Sequence, residues 1–155
     1  MAKRIVIAAV ICAFLCVNAG AHMVSFFIIE TGVPEDAREN QHSVFWENAF
    51  LDVFFDAGHI VSNAPILRLE DRPSGDILQE IDMQEVRRAG IDYLIIAQLD
   101  YNAALAPSDM FFYVFKINPK NKIFESKIEG RSERSAREEY EYMKSIARGL
   151  IAYVD

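Results

Sequence analysis

His22, His42 and His59 are the only imidazoles in the sequence. No two of them stand at the spacing of a helical metal site or a zinc knuckle. His22 reads as a residue of a frayed terminus, able to hold a metal only adventitiously. His42 falls at a helix start, and His59 falls just past a helix stop, where a protonated ring meets the negative end of the helix dipole. Ser25, Ser43, Ser62 and Ser74 lack a Gly-x-Ser-x-Gly setting, and the chain holds no phosphate-cradling glycine loop and no 12-residue acidic calcium loop. There are 23 acids, but close sets such as Asp52 with Asp56, or Glu138 with Glu139 and Glu141, fall on the polar faces of predicted helices. Acids there are solvated, whereas general acid–base work needs a converging pair. The expectation is a non-enzymatic protein with no catalytic residue, metal or cofactor. A hydrolase built on scattered carboxylates is the weakest alternative.

Aromatic side chains are the one enrichment: 11 Phe, 6 Tyr and 1 Trp make up 12% of the chain. Phe45, Trp46, Phe50, Phe54 and Phe55 cannot share one narrow stripe, because neighbours such as 54 and 55 diverge by about 100° on a helix. In residues 110–117 (MFFYVFKI), Met110, Phe112 and Val114 face opposite to Phe111, Tyr113 and Phe115, so both faces of that strand are apolar. A filled core between sheet and helices is the simple reading. The candidates for contact with a partner are Trp46, Phe50, Phe54, Phe55 and Phe112, with Trp46 and Phe55 at the margin of the helical stripe, where interface anchors sit.

The elements that position these residues follow from periodicity. Residues 24–30 (VSFFIIE) read as a buried strand. A helix begins near Asn40 or Ser43 and stops at Gly58, burying Phe45, Trp46, Ala49, Phe50, Val53, Phe54 and Ala57. Residues 59–62 form a short strand, and after the polar loop around Arg72 a helical segment capped by Asp76 runs to Gly90. Residues 92–101 (DYLIIAQLDY) are the strongest strand signal, apolar on both faces over the first half. Residues 110–117 and 122–130 flank the four residues Asn118-Pro119-Lys120-Asn121 as a hairpin, whose second arm is wetter and nearer the sheet edge. A C-terminal helix opens at Ser132 or Ser135, where Ser135 and Glu138 have capping-box spacing. The order β-α-β-α-β-β-β-α makes a single α/β domain with one mixed sheet packed by helices.

The N-terminus carries an address. Lys3 and Arg4 precede 13 uncharged apolar residues, 5–17, and Ala19-Gly20-Ala21 places small residues at the −3 and −1 positions of a secretory cleavage site. Residues 1–21 are expected to be a signal peptide and residues 22–155 the working domain, periplasmic or secreted. A signal anchor is the alternative, although 13 residues make a helix of about 20 Å against a hydrocarbon core of about 30 Å. A lipid anchor on Cys16 is the other, against the bulky Phe14 and Leu15 that precede it. Without residues 1–21 the 155 residues become 134, and loss of Lys3 and Arg4 moves the net charge from −7 to −9. Both cysteines, Cys12 and Cys16, leave with the leader, so the mature domain has neither thiol nor disulfide. Its acidity argues against nucleic acid as a partner, and the mature form carries no stable membrane span.

The run Val86-Arg87-Arg88-Ala89-Gly90-Ile91-Asp92-Tyr93-Leu94-Ile95-Ile96-Ala97 and the hairpin Phe115-Lys116-Ile117-Asn118-Pro119-Lys120-Asn121-Lys122-Ile123-Phe124-Glu125-Ser126, followed by a C-terminal helix, resemble a group of bacterial envelope domains. That group includes CsgG, FlgO, the lipoprotein activators of penicillin-binding proteins and the N-terminal domain of TolB. The resemblance implies an envelope accessory or scaffold subunit that binds another envelope protein, and it carries over no catalytic residue. The alternative function is a small-ligand or peptide-binding module using a cleft between the aromatic helix and the sheet.

Overall fold

The structure is a computed structural model that describes residues 20–33, 41–73, 75–103, 107–130 and 135–154. The expected signal peptide, residues 1–21, lies outside these residues but for Gly20 and Ala21. Among the described residues no helix is long and apolar enough to cross a membrane.

The central strands are β1 (Met23–Thr31) and β4 (Tyr93–Tyr101), which pair in parallel from Val24 opposite Tyr93 to Thr31 opposite Asp100. Both are buried on both faces, which is why neither shows a clean polar alternation. β5 (Pro107–Lys116) pairs antiparallel with β4, and β6 (Asn121–Glu129) pairs antiparallel with β5 at the sheet edge, where the wet second arm of the hairpin was expected. At the other edge β2 (Ile60–Asn63) and β3 (Leu67–Leu69) lie end to end along β1, both parallel to it. The sheet order is β2-β1-β4-β5-β6, with β3 beside β1. A mixed α/β sheet was expected from the sequence; the three-residue β3 was not, because so short a strand has no period to read.

One sheet face is covered by α1 (Gln41–Asp56) and α3 (Ala136–Ile151). Phe26 and Ile28 of β1, Ile95, Ala97 and Leu99 of β4, and Met110, Phe112 and Val114 of β5 meet Trp46, Phe50, Phe54, Met143, Ala147 and Leu150 there. α3 opens with the expected capping box: the Ser135 hydroxyl accepts from the Glu138 N–H, and the Glu138 carboxylate accepts from the Ser135 N–H.

The opposite face is covered less fully. The single helical segment expected over 76–89 is two pieces, a 3-10 turn (Ile77–Glu80) and the short α2 (Met83–Arg88). Two aspartates compete as caps: Asp76 accepts from the Leu78 N–H, and Asp82 accepts from the Gln84 and Glu85 N–H groups. Between them Ile81 is extended, with φ −120° and ψ 135°. Ile77, Leu78, Ile81 and Val86 bury against Ile29, Leu94, Ile96 and Phe115. Gly90 ends the segment at φ +73°, a conformation only glycine adopts cheaply.

β1, β3, β4 and β6 all point the same way, so their carboxyl ends gather at one end of the sheet. Gly32 is needed there. Its φ is +76°, and a Cβ would lie 2.5 Å from the Tyr101 carbonyl oxygen.

Candidate functional site

In parallel sheets ligands are bound at the carboxyl ends of the strands, and this end gathers the polar side chains. On the α2 face Asp100 accepts from the Thr31 hydroxyl, from Gln98 Nε2 at 3.0 Å and from Arg72 Nε at 3.0 Å. Arg72 lies over the Phe111 ring, 4.3 Å from its centroid, and reaches Asp109 at 3.5 Å; Lys127 pairs with Asp109 at 2.9 Å. Each carboxylate meets a base, so the network ties the loop after β3 to β4 and β5.

Burial pushes the Asp100 carboxyl up, but hydrogen bonds from Thr31, Arg72 and Gln98 and the charge of Arg72 outweigh it and hold it below the ordinary carboxylate range. A carboxyl lowered by folding contributes stability that is complete above its unfolded value of about 3.9 and is lost as pH falls through the lower folded value. Asp100→Asn is therefore expected to lower the melting temperature at neutral pH and to shrink its further loss as pH falls below about 4. Melts across that range check this, and an unchanged acid slope contradicts it.

On the other face the same end holds a buried set. Glu30 is 0% exposed, and its carboxylate accepts from Arg68 Nε at 2.8 Å. The Ser43 and Tyr101 hydroxyls are 2.8 Å apart, and burial raises the Tyr101 phenol far above its ordinary value. His42 Nε2 is 3.7 Å from Glu139; burial lowers the imidazole, with the Glu139 charge opposing. These pairs join α1, α3, β1, β3 and β4 at their ends.

The five aromatic candidates part company. Trp46, Phe50, Phe54 and Phe112 are at most 2% exposed and pack on one another, with ring centroids 4.8 Å apart for Trp46 and Phe112 and 6.1 Å apart for Phe50 and Phe54. Phe55 is 69% exposed. The cleft expected between the aromatic helix and the sheet is filled, leaving about 10 Å³ beside Phe26, Phe50 and Phe54, about one water's worth.

An open concavity on the α2 face is a groove of about 540 Å³ between α2 and the β2–β3 edge. Phe27, Leu67, Ile81, Val86, Ile91 and Leu94 give it apolar walls, and Asp82 and Glu85 stand among its lining residues. Its cause is small side chains: Ser25 and Ser62 are register partners on β1 and β2, and Ala64 and Ala89 line it as well. Sequence reasoning missed this site. The available signal was the pair of serines interrupting apolar strands, which reads as noise until the register pairs them.

A family model described as "Uncharacterised protein" matches residues 24–110. No curated protein matches the chain. Similar solved structures include TolB from Acinetobacter baumannii, at 10% identity and a TM-score of 0.49, covering 86% of this chain and 28% of that one. The PelC dodecamer from Paraburkholderia phytofirmans is similar at 15% identity and a TM-score of 0.44, covering 89% of this chain and 88% of that one. The LpoB C-terminal domain from Salmonella enterica follows at 12% identity and a TM-score of 0.44, covering 76% of this chain and 87% of that one. This chain thus spans under a third of the TolB chain, and at these identities the likeness is one of fold alone.

Proposed function

Since the chain belongs to the family described as "Uncharacterised protein", and every residue lining the groove falls within the matched stretch, we propose that this groove is the working surface of an exported, non-enzymatic envelope accessory protein. Its role is to bind an extended segment of another envelope protein. Export is supported by the basic, apolar and small-residue grammar of residues 1–21.

The observation that carries the binding role is the groove's position along β2, which among the described residues pairs with no strand beyond β1. The Ile60 N–H donates to the His22 carbonyl at 3.0 Å, and the Ala64 N–H donates to the Phe26 carbonyl at 3.2 Å, both inward to β1. By strand alternation the backbone groups of Val61 and Asn63 then face outward. An extended peptide satisfies such groups by strand addition while one of its side chains enters the apolar groove. Phe55 and Ile60, 69% and 55% exposed, stand on either side of the turn between α1 and β2 and add apolar surface at the start of that edge.

A second reading, a small apolar ligand, is favoured by the groove volume of about 540 Å³, which falls in the range of about 300–1,000 Å³ usual for ligand sites. Ala89→Arg separates folding from function, because Ala89 is exposed yet lines the groove. The variant is expected to keep its stability within about 0.5 kcal/mol and to lose the partner that co-purifies with the wild-type chain from solubilised envelope. Undiminished co-purification contradicts the reading. Thermal stabilisation by small apolar compounds, abolished by the same substitution, would instead support the ligand.

A further inference from the structure

Cleavage between Ala21 and His22 would make His22 the first residue of the mature chain and free its α-amino group. The sequence alone suggests a frayed end, but the structure holds this residue on both sides. The His22 carbonyl accepts from the Ile60 N–H at 3.0 Å, and the Met23 N–H that follows donates to Asp92 Oδ2 at 2.9 Å. The His22 ring rests edge-on against Tyr93, with centroids 5.1 Å apart, and its Nδ1 lies 3.7 Å from Asp92 Oδ2.

Beside it, nearly parallel at 21° and 6.1 Å away between centroids, is the ring of His59. His59 is 5% exposed, packs against Phe54, and is fixed by its own N–H, which donates to the Phe54 carbonyl at 3.1 Å. Two imidazoles on opposite sides of one metal ion, each bound at about 2.0 Å, have their centroids about 6 Å apart. His22 and His59 stand within that separation but stacked, so a shared ion requires the His22 ring, one third exposed, to turn its Nδ1 from Asp92 toward a ring nitrogen of His59.

Among the described residues no three His, Cys, Asp or Glu side chains converge on a point fit for a metal. A free N-terminus alters that count. The α-amine and Nδ1 of an N-terminal histidine close a six-membered chelate ring on one ion, and a ring nitrogen of His59 supplies the third donor. Three nitrogen donors in this arrangement suit Cu(II), which also tops the affinity order of the divalent first-row metals. We propose that the mature protein binds one Cu(II) ion through the α-amine and Nδ1 of His22 and a ring nitrogen of His59, with the Asp92 carboxylate beside the ion. The proposal rests on the export reading, and within it on cleavage before His22.

The test uses the exported protein, its N-terminus read by intact mass, and a second preparation in which a protease removes a fusion partner to leave His22 first. Each is titrated with Cu(II) alone and followed by electron paramagnetic resonance. One equivalent with nitrogen hyperfine structure is expected. A chain that retains Ala21 before His22 keeps the fold but has no α-amine at the site, and it should bind about 100-fold more weakly or worse, beyond the loss that an outer contact to a ligand causes. His59→Phe, which keeps a ring against Phe54, should show the same loss with native circular dichroism. Equal affinity with and without Ala21, or a folded His59→Phe that binds like wild type, overturns the site and leaves export standing. A mass showing the exported chain cut elsewhere, or not at all, overturns the site together with the cleavage on which it rests.

Discussion

Trp46→Ala is expected to cost about 3–5 kcal/mol of folding free energy, measured by urea unfolding. Trp46 is fully buried between Phe50 and Phe112, with ring centroids 5.9 Å and 4.8 Å away, so truncation opens a cavity in the layer joining α1 to β5. Among the described residues its Nε1 has no hydrogen-bond partner. Trp46→Phe removes that unpaired donor along with part of the volume, and should cost under about 1.5 kcal/mol. Phe55→Ala, on the exposed side of the same helix, should stay within about 0.5 kcal/mol. If Phe55→Ala destabilised the protein as much as Trp46→Ala, the assignment of core and surface along α1 would be wrong.

Arg68→Met should be comparably severe for a different reason. Glu30 lies within the sheet at 0% exposure and Arg68 is its ion-pair partner at 2.8 Å. Removing the base leaves a buried carboxylate without that partner, a loss of about 3–5 kcal/mol. Replacing both, as Arg68→Met with Glu30→Leu, should recover most of it, because apolar substitutes for a buried pair are often neutral or better. A double-mutant cycle gives the coupling directly. Equal damage from the single and double variants would mean that Arg68 acts through other contacts.

The long elements were legible because their periods are long. Residues 24–30 became Met23–Thr31, the helix from Asn40 or Ser43 became Gln41–Asp56, and the Ser135 capping box stands where the spacing puts it. Segments where two local rules compete were not legible. Between Asp76 and Gly90 the apolar spacing favours one helix, but a second Asx cap at Asp82 restarts the chain and leaves Ile81 extended.

The site was less legible than the fold. Composition drew attention to the aromatic surplus, which for Trp46, Phe50, Phe54 and Phe112 went into the core. The groove is made by what is small, Ser25 and Ser62 side by side and Ala64 and Ala89 near them. That adjacency depends on β1–β2 register, which a single sequence does not contain. The closeness of His22 to His59 depends on the same register, since Met23 lies opposite Ile60.

Docking of an extended segment of another envelope protein on the β2–β3 edge and its groove can be read with a photo-crosslinking residue in the full chain within intact cells. Placed at Ala64, on the groove, it should give one discrete protein adduct that disappears when Ala89→Arg is added. Placed at Lys122, on the opposite sheet edge, it should give none. No adduct from position 64, or the same adduct from both positions, would mean that the groove does not receive this partner.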